Sequence, residues 1–222
     1  VIKIVSATAR HSAQFEFTPL GASLARLRWD KRLSEQITFE NKRSLASVYN
    51  GQIAQASDED ILVFIHDDVW IDDQFVADRV TDALQEFDII GVAGNRRVTQ
   101  QHVNWFFKND KFQKDDDEFL SGAVAHSARP CGPISWYGPS PADCELLDGV
   151  LIAAKRSTLR NADMKFDEKF AFHFYDLDFS RAARKRGLHV GTWPIGITHA
   201  SGGAFDTKEW RDALKIYREI WC

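Results

Sequence analysis

Three short polar clusters hold the residues best able to do chemistry. In residues 61–69 an apolar run breaks off into His66-Asp67-Asp68. Adjacent carboxylates repel where water is excluded, so they sit best beside a cation or hydrogen-bond donors. Without either they would form an exposed turn running on into Asp72 and Asp73. The second cluster, residues 172–180, contains His173, Tyr175, Asp176 and Asp178 and leads into Arg181, Arg184, Lys185 and Arg186. That order of charge matches a helix dipole and stabilises a helix whether or not it has a function. Helical residues turn by about 100° each, so Asp176 and Asp178 cannot both face one cleft. One would act; the other would cap the helix or pair with a basic side chain. The third cluster places His199 at the end of a short apolar run, ahead of Ser201, Gly202 and Gly203. An imidazole there is either a metal ligand or a hydrogen-bonded structural residue.

Elements must bring these clusters together. Residues 61–65 are apolar without alternation and rich in β-branched side chains, which predicts a strand covered on both faces, as in a parallel α/β sheet. Ligands of such sheets gather at the carboxyl ends of strands. Further strands are predicted at residues 1–6, 36–39, 89–93, 150–154 and 188–193. Leu45, Val48, Tyr49 and Ile53 recur at helical spacing, so residues 42–56 read as an amphipathic helix starting near Asn41 or Ser44. Helices are also expected at 73–85, at 175–186 with Gly187 closing it, and at 207–220 with Trp210, Leu214, Tyr217 and Trp221 on one side. Between 95 and 141 the periodicity dissolves into a loop-rich insertion. Its acidic quartet, Asp115 to Glu118, reads as a solvated loop in preference to a cation site. Alternating elements of this kind favour a mostly parallel sheet with right-handed crossovers.

Composition narrows the class. The 222 residues, 44% hydrophobic and 12% aromatic, suffice for one large domain with a real core. A net charge of −4 with scattered basic residues disfavours nucleic acid as a partner. Cys131, Cys144 and Cys222 are odd in number and lack CxxC spacing, which argues against a disulfide framework or a structural zinc site and for reduced thiols in the cytoplasm. No apolar stretch approaches the roughly 20 residues of a membrane span, so any membrane contact is expected to be peripheral, at the inner face. The start of the chain lacks a signal-peptide pattern.

Taken in order, the motifs resemble those of inverting GT-A glycosyltransferases of family 2, the large family that includes cellulose and chitin synthases. Residues 61–69 resemble its strand followed by an acidic DxD-type motif, and Leu147-Asp148-Gly149-Val150 its small residue before a strand. Phe166-Asp167-Glu168-Lys169-Phe170, then Tyr175-Asp176-Leu177-Asp178-Phe179-Ser180-Arg181-Ala182 up to Gly187, resemble its acidic helix motif, and His199 its histidine after a strand. The ending Thr198-His199-Ala200-Ser201-Gly202 looks closest to a short bacterial branch with a streptomycin-biosynthesis-protein-like domain. The chain departs from the pattern at His66, where many members have the first aspartate, at Tyr175, where an acidic residue is usual, and at Asn41, where an aspartate often reads the base.

The resemblance implies an α/β, Rossmann-like GT-A single domain with a central sheet flanked by helices. It divides into a nucleotide-binding half (1–94), an acceptor and catalytic half (95–203) and a C-terminal helix (204–222). It implies transfer of a sugar from a nucleotide-sugar, a UDP-sugar in the first place, to a hydroxyl of a glycan, lipid-linked or small-molecule acceptor. Asp176 would be the general base. Asp68 and His199 would hold Mn²⁺ or Mg²⁺; Ser6, Asn41 and Asp67 would contact the nucleotide; Trp136, Tyr137, Asp148 and Gly149 would face the acceptor. Two other classes stay open: a nucleotidyltransferase, for which residues 6–10 offer Arg10 but no phosphate-binding glycine, and a non-catalytic sugar- or nucleotide-binding module of the same fold.

Overall fold

Five consecutive apolar residues are satisfied only when covered from both sides. In the computed structural model, which describes residues 1–203 and 205–222, that segment is a strand inside a seven-stranded sheet, with Leu62, Val63, Phe64 and Ile65 buried. Ala204, within the expected C-terminal helical stretch, lies outside the described residues. In chain order the strands are β1 (Ile2–Ala7), β2 (Leu33–Thr38), β3 (Ile61–Ile65), β4 (Val69–Ile71), β5 (Ile89–Gly91), β6 (Ala93–Asn95), β7 (Leu120–His126), β8 (Ile134–Gly138), β9 (Ala142–Asp143), β10 (Leu146–Leu147), β11 (Leu151–Lys155), β12 (Val190–Thr192) and β13 (Ile197–His199). The helices are α1 (Ser12–Phe15), α2 (Pro19–Leu27), α3 (Leu45–Gln55), α4 (Val76–Glu86), α5 (Arg156–Asn161), α6 (Tyr175–Lys185) and α7 (Lys208–Trp221).

The larger sheet has the order β2-β1-β3-β11-β5-β12-β9, and a smaller one the order β10-β6-β7-β13-β4 with β8 on β7. The mostly parallel sheet expected from the sequence is mixed. β1 runs parallel to β2 and β3, and β12 parallel to β5, but β11 is antiparallel to both β3 and β5. A strand buried on both faces reads as an unbroken apolar run in either direction, so periodicity could not set the direction of β11. The expected strand at 89–93 divides at Val92: β5 joins the larger sheet, while β6 turns into the smaller one.

Helix ends follow the local chemistry. Ser44, not Asn41, caps α3, its hydroxyl accepting the Ser47 N–H at 3.1 Å. α6 stops where Gly187 takes φ +78°, a conformation that glycine adopts without a Cβ penalty. Thr207 caps α7, which buries Trp210, Leu214 and Tyr217. α2, which was not among the expected helices, is capped by Thr18, whose hydroxyl accepts the Gly21 N–H at 3.0 Å, with Pro19 at the first helical position.

The loop-rich insertion is the largest correction. It contains β7 and β8, paired with each other and, through β7, with β6 and β13. β7 is built from small residues, and Pro and Gly flank β8, so tertiary pairing outweighs weak local propensity. Nor is the acidic quartet solvated throughout. Asp115 is buried, held by the Arg97 guanidinium, by Asn95 at 2.8 Å and by His102 at 3.0 Å. Arg97, Asn95 and His102 hold its carboxyl well below the usual carboxylate range, although burial alone would push it up.

Candidate functional site

The end of β3 is tied down on three sides. His66 N–H donates to the Val150 carbonyl at 3.3 Å, the Asp67 carbonyl accepts from Leu20 N–H at 3.2 Å, and the Asp68 carbonyl accepts from Ala200 N–H at 2.9 Å. β13 lies antiparallel to β4 with His199 opposite Val69, so sheet register delivers His199 to Asp68. Their side chains meet with Nε2 3.3 Å from Oδ1. Burial pushes the Asp68 carboxyl up, but the hydrogen bond and charge of His199 outweigh it and bring the carboxyl down to about 2. Burial likewise works against charge on His199, and Asp68 overcomes it, raising the imidazole.

His66 joins this pair. Ligand atoms of His66, Asp68 and His199 lie within 4.8 Å of one another. Two imidazoles and one carboxylate form a donor set that suits a borderline divalent ion such as Zn²⁺ or Fe²⁺ and also admits the harder Mn²⁺, so the residues fit a cation. Burial depresses the His66 imidazole, which favours the neutral ring that can ligate. His66 is thus a third candidate ligand beside the expected Asp68 and His199.

Facing this group is the start of α6. Phe174, at its N-cap, takes a left-handed backbone (φ 66°) and swings Tyr175 and Asp176 inward. Asp176 Oδ2 accepts the Gly149 N–H at 2.9 Å, and Oδ1 accepts the Leu177 N–H at 2.9 Å. Burial, with the charge of Asp148 second, raises the Asp176 carboxyl to about 7. Asp178 points away, accepting the Trp221 indole N–H at 2.8 Å. The two carboxylates thus divide as helical spacing requires, with an indole where a basic partner or a cap was expected. Gly149 has no room for a side chain: a Cβ there would lie 2.3 Å from Tyr175 Oη and 3.0 Å from the Asp176 Cβ.

These groups line a cavity of about 550 Å³. His66, Asp67, Asp68, Asp148, Gly149, Asp176, His199 and Tyr137 all border it, with aromatic walls from Trp105, Phe106, Phe107, Phe172 and Trp210. A second cavity of about 530 Å³ shares Asp67 and Asp68 and is lined beyond them by Arg10, Gln14, Phe17, Thr18 and Pro19. The two carboxylates therefore stand between an aromatic chamber and a chamber with a guanidinium.

Other expected residues lie elsewhere. Trp136 is on the opposite face of β8 from Tyr137 and borders a separate cavity of about 490 Å³ with Ile134 and Ile197, as strand alternation dictates. Ser6 is fully buried and its hydroxyl has no partner. The Asn41 side chain folds onto Arg43, donating to its carbonyl at 2.8 Å and accepting its N–H at 3.1 Å. Ser6 and Asn41 border neither of the two chambers that meet at Asp67 and Asp68. Conversely, Arg10, Phe172 and the run Trp105-Phe106-Phe107 were not assigned to the site; three successive aromatics in a polar insertion were the signal available.

Among the described residues no helix is long and apolar enough to cross a membrane. A family model described as "Glycosyltransferase like family" matches residues 17–211. Among solved structures, GalNAc-T7 with UDP, GalNAc and Mn²⁺ aligns over 100% of this chain and 48% of its own, with a TM-score of 0.58 at 9% identity. TarS of S. aureus aligns over 97% of this chain and 38% of its own, with a TM-score of 0.55 at 11% identity. At these identities the likeness is one of fold, and the chain spans less than half the length of either structure. No curated protein matches by sequence.

Proposed function

The chain belongs to the glycosyltransferase-like family and has the GT-A fold of its structural relatives, and on that premise we propose that it transfers a sugar from a nucleotide-sugar to an acceptor hydroxyl with inversion. The observation that carries this reading is Asp176: a carboxylate raised to about 7 at the wall of an aromatic cavity, opposite the His66, Asp68 and His199 group. A base titrating near neutral pH combines a large ionised fraction with useful proton affinity.

In this reading the donor straddles Asp67 and Asp68. Its nucleotide lies in the chamber of Arg10, Gln14 and Phe17, where the guanidinium compensates phosphate charge and the exposed Phe17 ring offers a stacking face. Asp68, His66 and His199 would hold the divalent cation, Mn²⁺ or Mg²⁺, which would supply positive charge against the departing diphosphate. Of the two, Mn²⁺ tolerates the pair of imidazoles better than Mg²⁺ does. The sugar lies in the aromatic cavity, where Phe172, Trp105 and Tyr137 suit the apolar faces of sugar rings. Asp176 takes the proton of the acceptor hydroxyl as its oxygen attacks the anomeric carbon from the side opposite the leaving group. The Gly149 and Leu177 amides hold that carboxylate in place. Residues 1–94 then form the donor half and 95–203 the acceptor half. A UDP-sugar is the donor we propose first, in line with the UDP bound by GalNAc-T7.

Two variants test the assignment. Asp176→Asn is expected to abolish transfer while leaving donor binding intact, and Asp68→Ala or chelation of divalent cations to weaken donor binding itself. Full turnover by Asp176→Asn, or donor affinity indifferent to chelator, would refute the respective role.

A further inference from the structure

One side chain at the site is accounted for by neither the base nor the cation group. Tyr175 is buried, yet its hydroxyl makes two close contacts: 2.8 Å to the Gly149 carbonyl and 2.8 Å to His66 Nε2. A phenol has one proton, and a carbonyl oxygen can only accept. If the proton went to His66, the phenol oxygen and the Gly149 carbonyl oxygen would press lone pairs together at a buried contact, at a cost that nothing nearby repays. The proton therefore belongs on the Gly149 carbonyl, and the second contact must run from His66 N–H to the phenol oxygen.

We propose that Tyr175 is a positioning residue that fixes His66 as the Nε2–H tautomer, leaving Nδ1 as the nitrogen that offers a lone pair to a divalent cation. The assignment rests on the reading of His66, Asp68 and His199 as a cation site. A ligating imidazole has its orientation and basicity set by the partner of its other nitrogen, and here that partner passes the bond on to the backbone. A carboxylate at position 66 would need no such partner. An imidazole does, and an acid at 175 would put a further charge beside Asp176 and Asp148. The Gly149 peptide then serves both sides of the site, its N–H holding Asp176 and its C=O anchoring Tyr175.

The test uses the whole chain and Mn²⁺ alone, without a sugar substrate. In metal-free protein carrying ¹⁵N-histidine, the His66 signals, identified by their loss in His66→Gln, should show a protonated Nε2 and a bare Nδ1. Tyr175→Phe keeps the ring and its packing but not the hydroxyl. It should lose that single tautomer and bind Mn²⁺ roughly 10- to 100-fold more weakly by calorimetric titration, the range for losing a partner of a metal-ligating histidine. A wild-type His66 protonated at Nδ1, or equal Mn²⁺ affinity in the two proteins, would overturn the role of Tyr175. Failure of the wild type to take up Mn²⁺ would instead overturn the cation reading beneath it. If Tyr175→Phe does not fold, the tautomer in the wild type decides alone.

Discussion

Replacing Asp176 by Asn should stabilise the protein at neutral and alkaline pH, destabilise it in acid, and inactivate it. A carboxyl that titrates at about 7 in place of 3.8 binds protons more readily folded than unfolded. Stability therefore falls as pH rises between those two values. At about 1.4 kcal/mol per tenfold change in proton affinity, the ionised form costs about 4 kcal/mol once pH reaches 7 or above. Asn removes that cost. It also loses an acceptor: Oδ1 and Oδ2 each take a backbone N–H, from Leu177 and Gly149, and an amide can accept only one of them, a penalty of about 1–3 kcal/mol. The net gain is about 1–3 kcal/mol at pH 8, or roughly 2–12 °C in melting temperature for a chain of this size. At pH 4 the gain from removing charge drops below about 1 kcal/mol and the lost acceptor dominates. Thermal unfolding of both proteins in chelator, from pH 4 to 8, should show the difference changing sign. Turnover by Asp176→Asn should fall by about 10²- to 10⁴-fold, the contribution of a general base, and wild-type turnover should rise with pH through about 7. A stability difference independent of pH, or wild-type turnover flat from pH 6 to 8, would refute the claim that Asp176 is a base with a raised pKa.

Other perturbations follow from the same geometry. Gly149→Ala drives a methyl into the Tyr175 hydroxyl. It should cost about 1–3 kcal/mol in chemical denaturation and, by misplacing Tyr175 and Asp176, about 10²-fold in kcat/KM. Phe172 and Trp136 form a matched pair, both exposed and on different cavities. Phe172→Ala should raise KM for a sugar substrate roughly 2- to 12-fold, the equivalent of about 0.5–1.5 kcal/mol of aromatic contact, while Trp136→Ala leaves steady-state kinetics unchanged. Arg97→Ala strands the buried Asp115 carboxylate and should cost about 3–5 kcal/mol by urea unfolding. It should also raise proteolytic cleavage within residues 103–107, the segment that forms the aromatic wall.

How much was legible in the sequence depended on what each residue answers to. β3 and its polar end could be read because a doubly covered strand has an unmistakable apolar signature, and His199 because it too ends a strand. Helical spacing separated Asp176 from Asp178 without any structure. The direction of β11 was hidden, since the apolar run that buries a strand is the same in either sense. Tyr137 and Trp136 were read as a pair because their stretch looked like loop; once β8 is a strand, alternation sends them to different cavities. Asp115 looked solvated because its partners, Asn95, Arg97 and His102, precede it by many residues and meet it only through packing. Arg10 and Phe17 gave no periodic signal, and their relevance arises only from facing Asp67 and Asp68.

The most direct measurement is a nuclear magnetic resonance assay of the protein with Mn²⁺, a panel of nucleotide-sugars and a mixture of glycan and small-molecule hydroxyl acceptors. It follows nucleoside diphosphate release and the anomeric proton of the product together. The expected result is release from one donor class, with transfer to an acceptor and an anomeric configuration opposite to that of the donor. Release with the donor configuration retained would contradict the Asp176 mechanism, and no release from any donor would contradict glycosyl transfer itself.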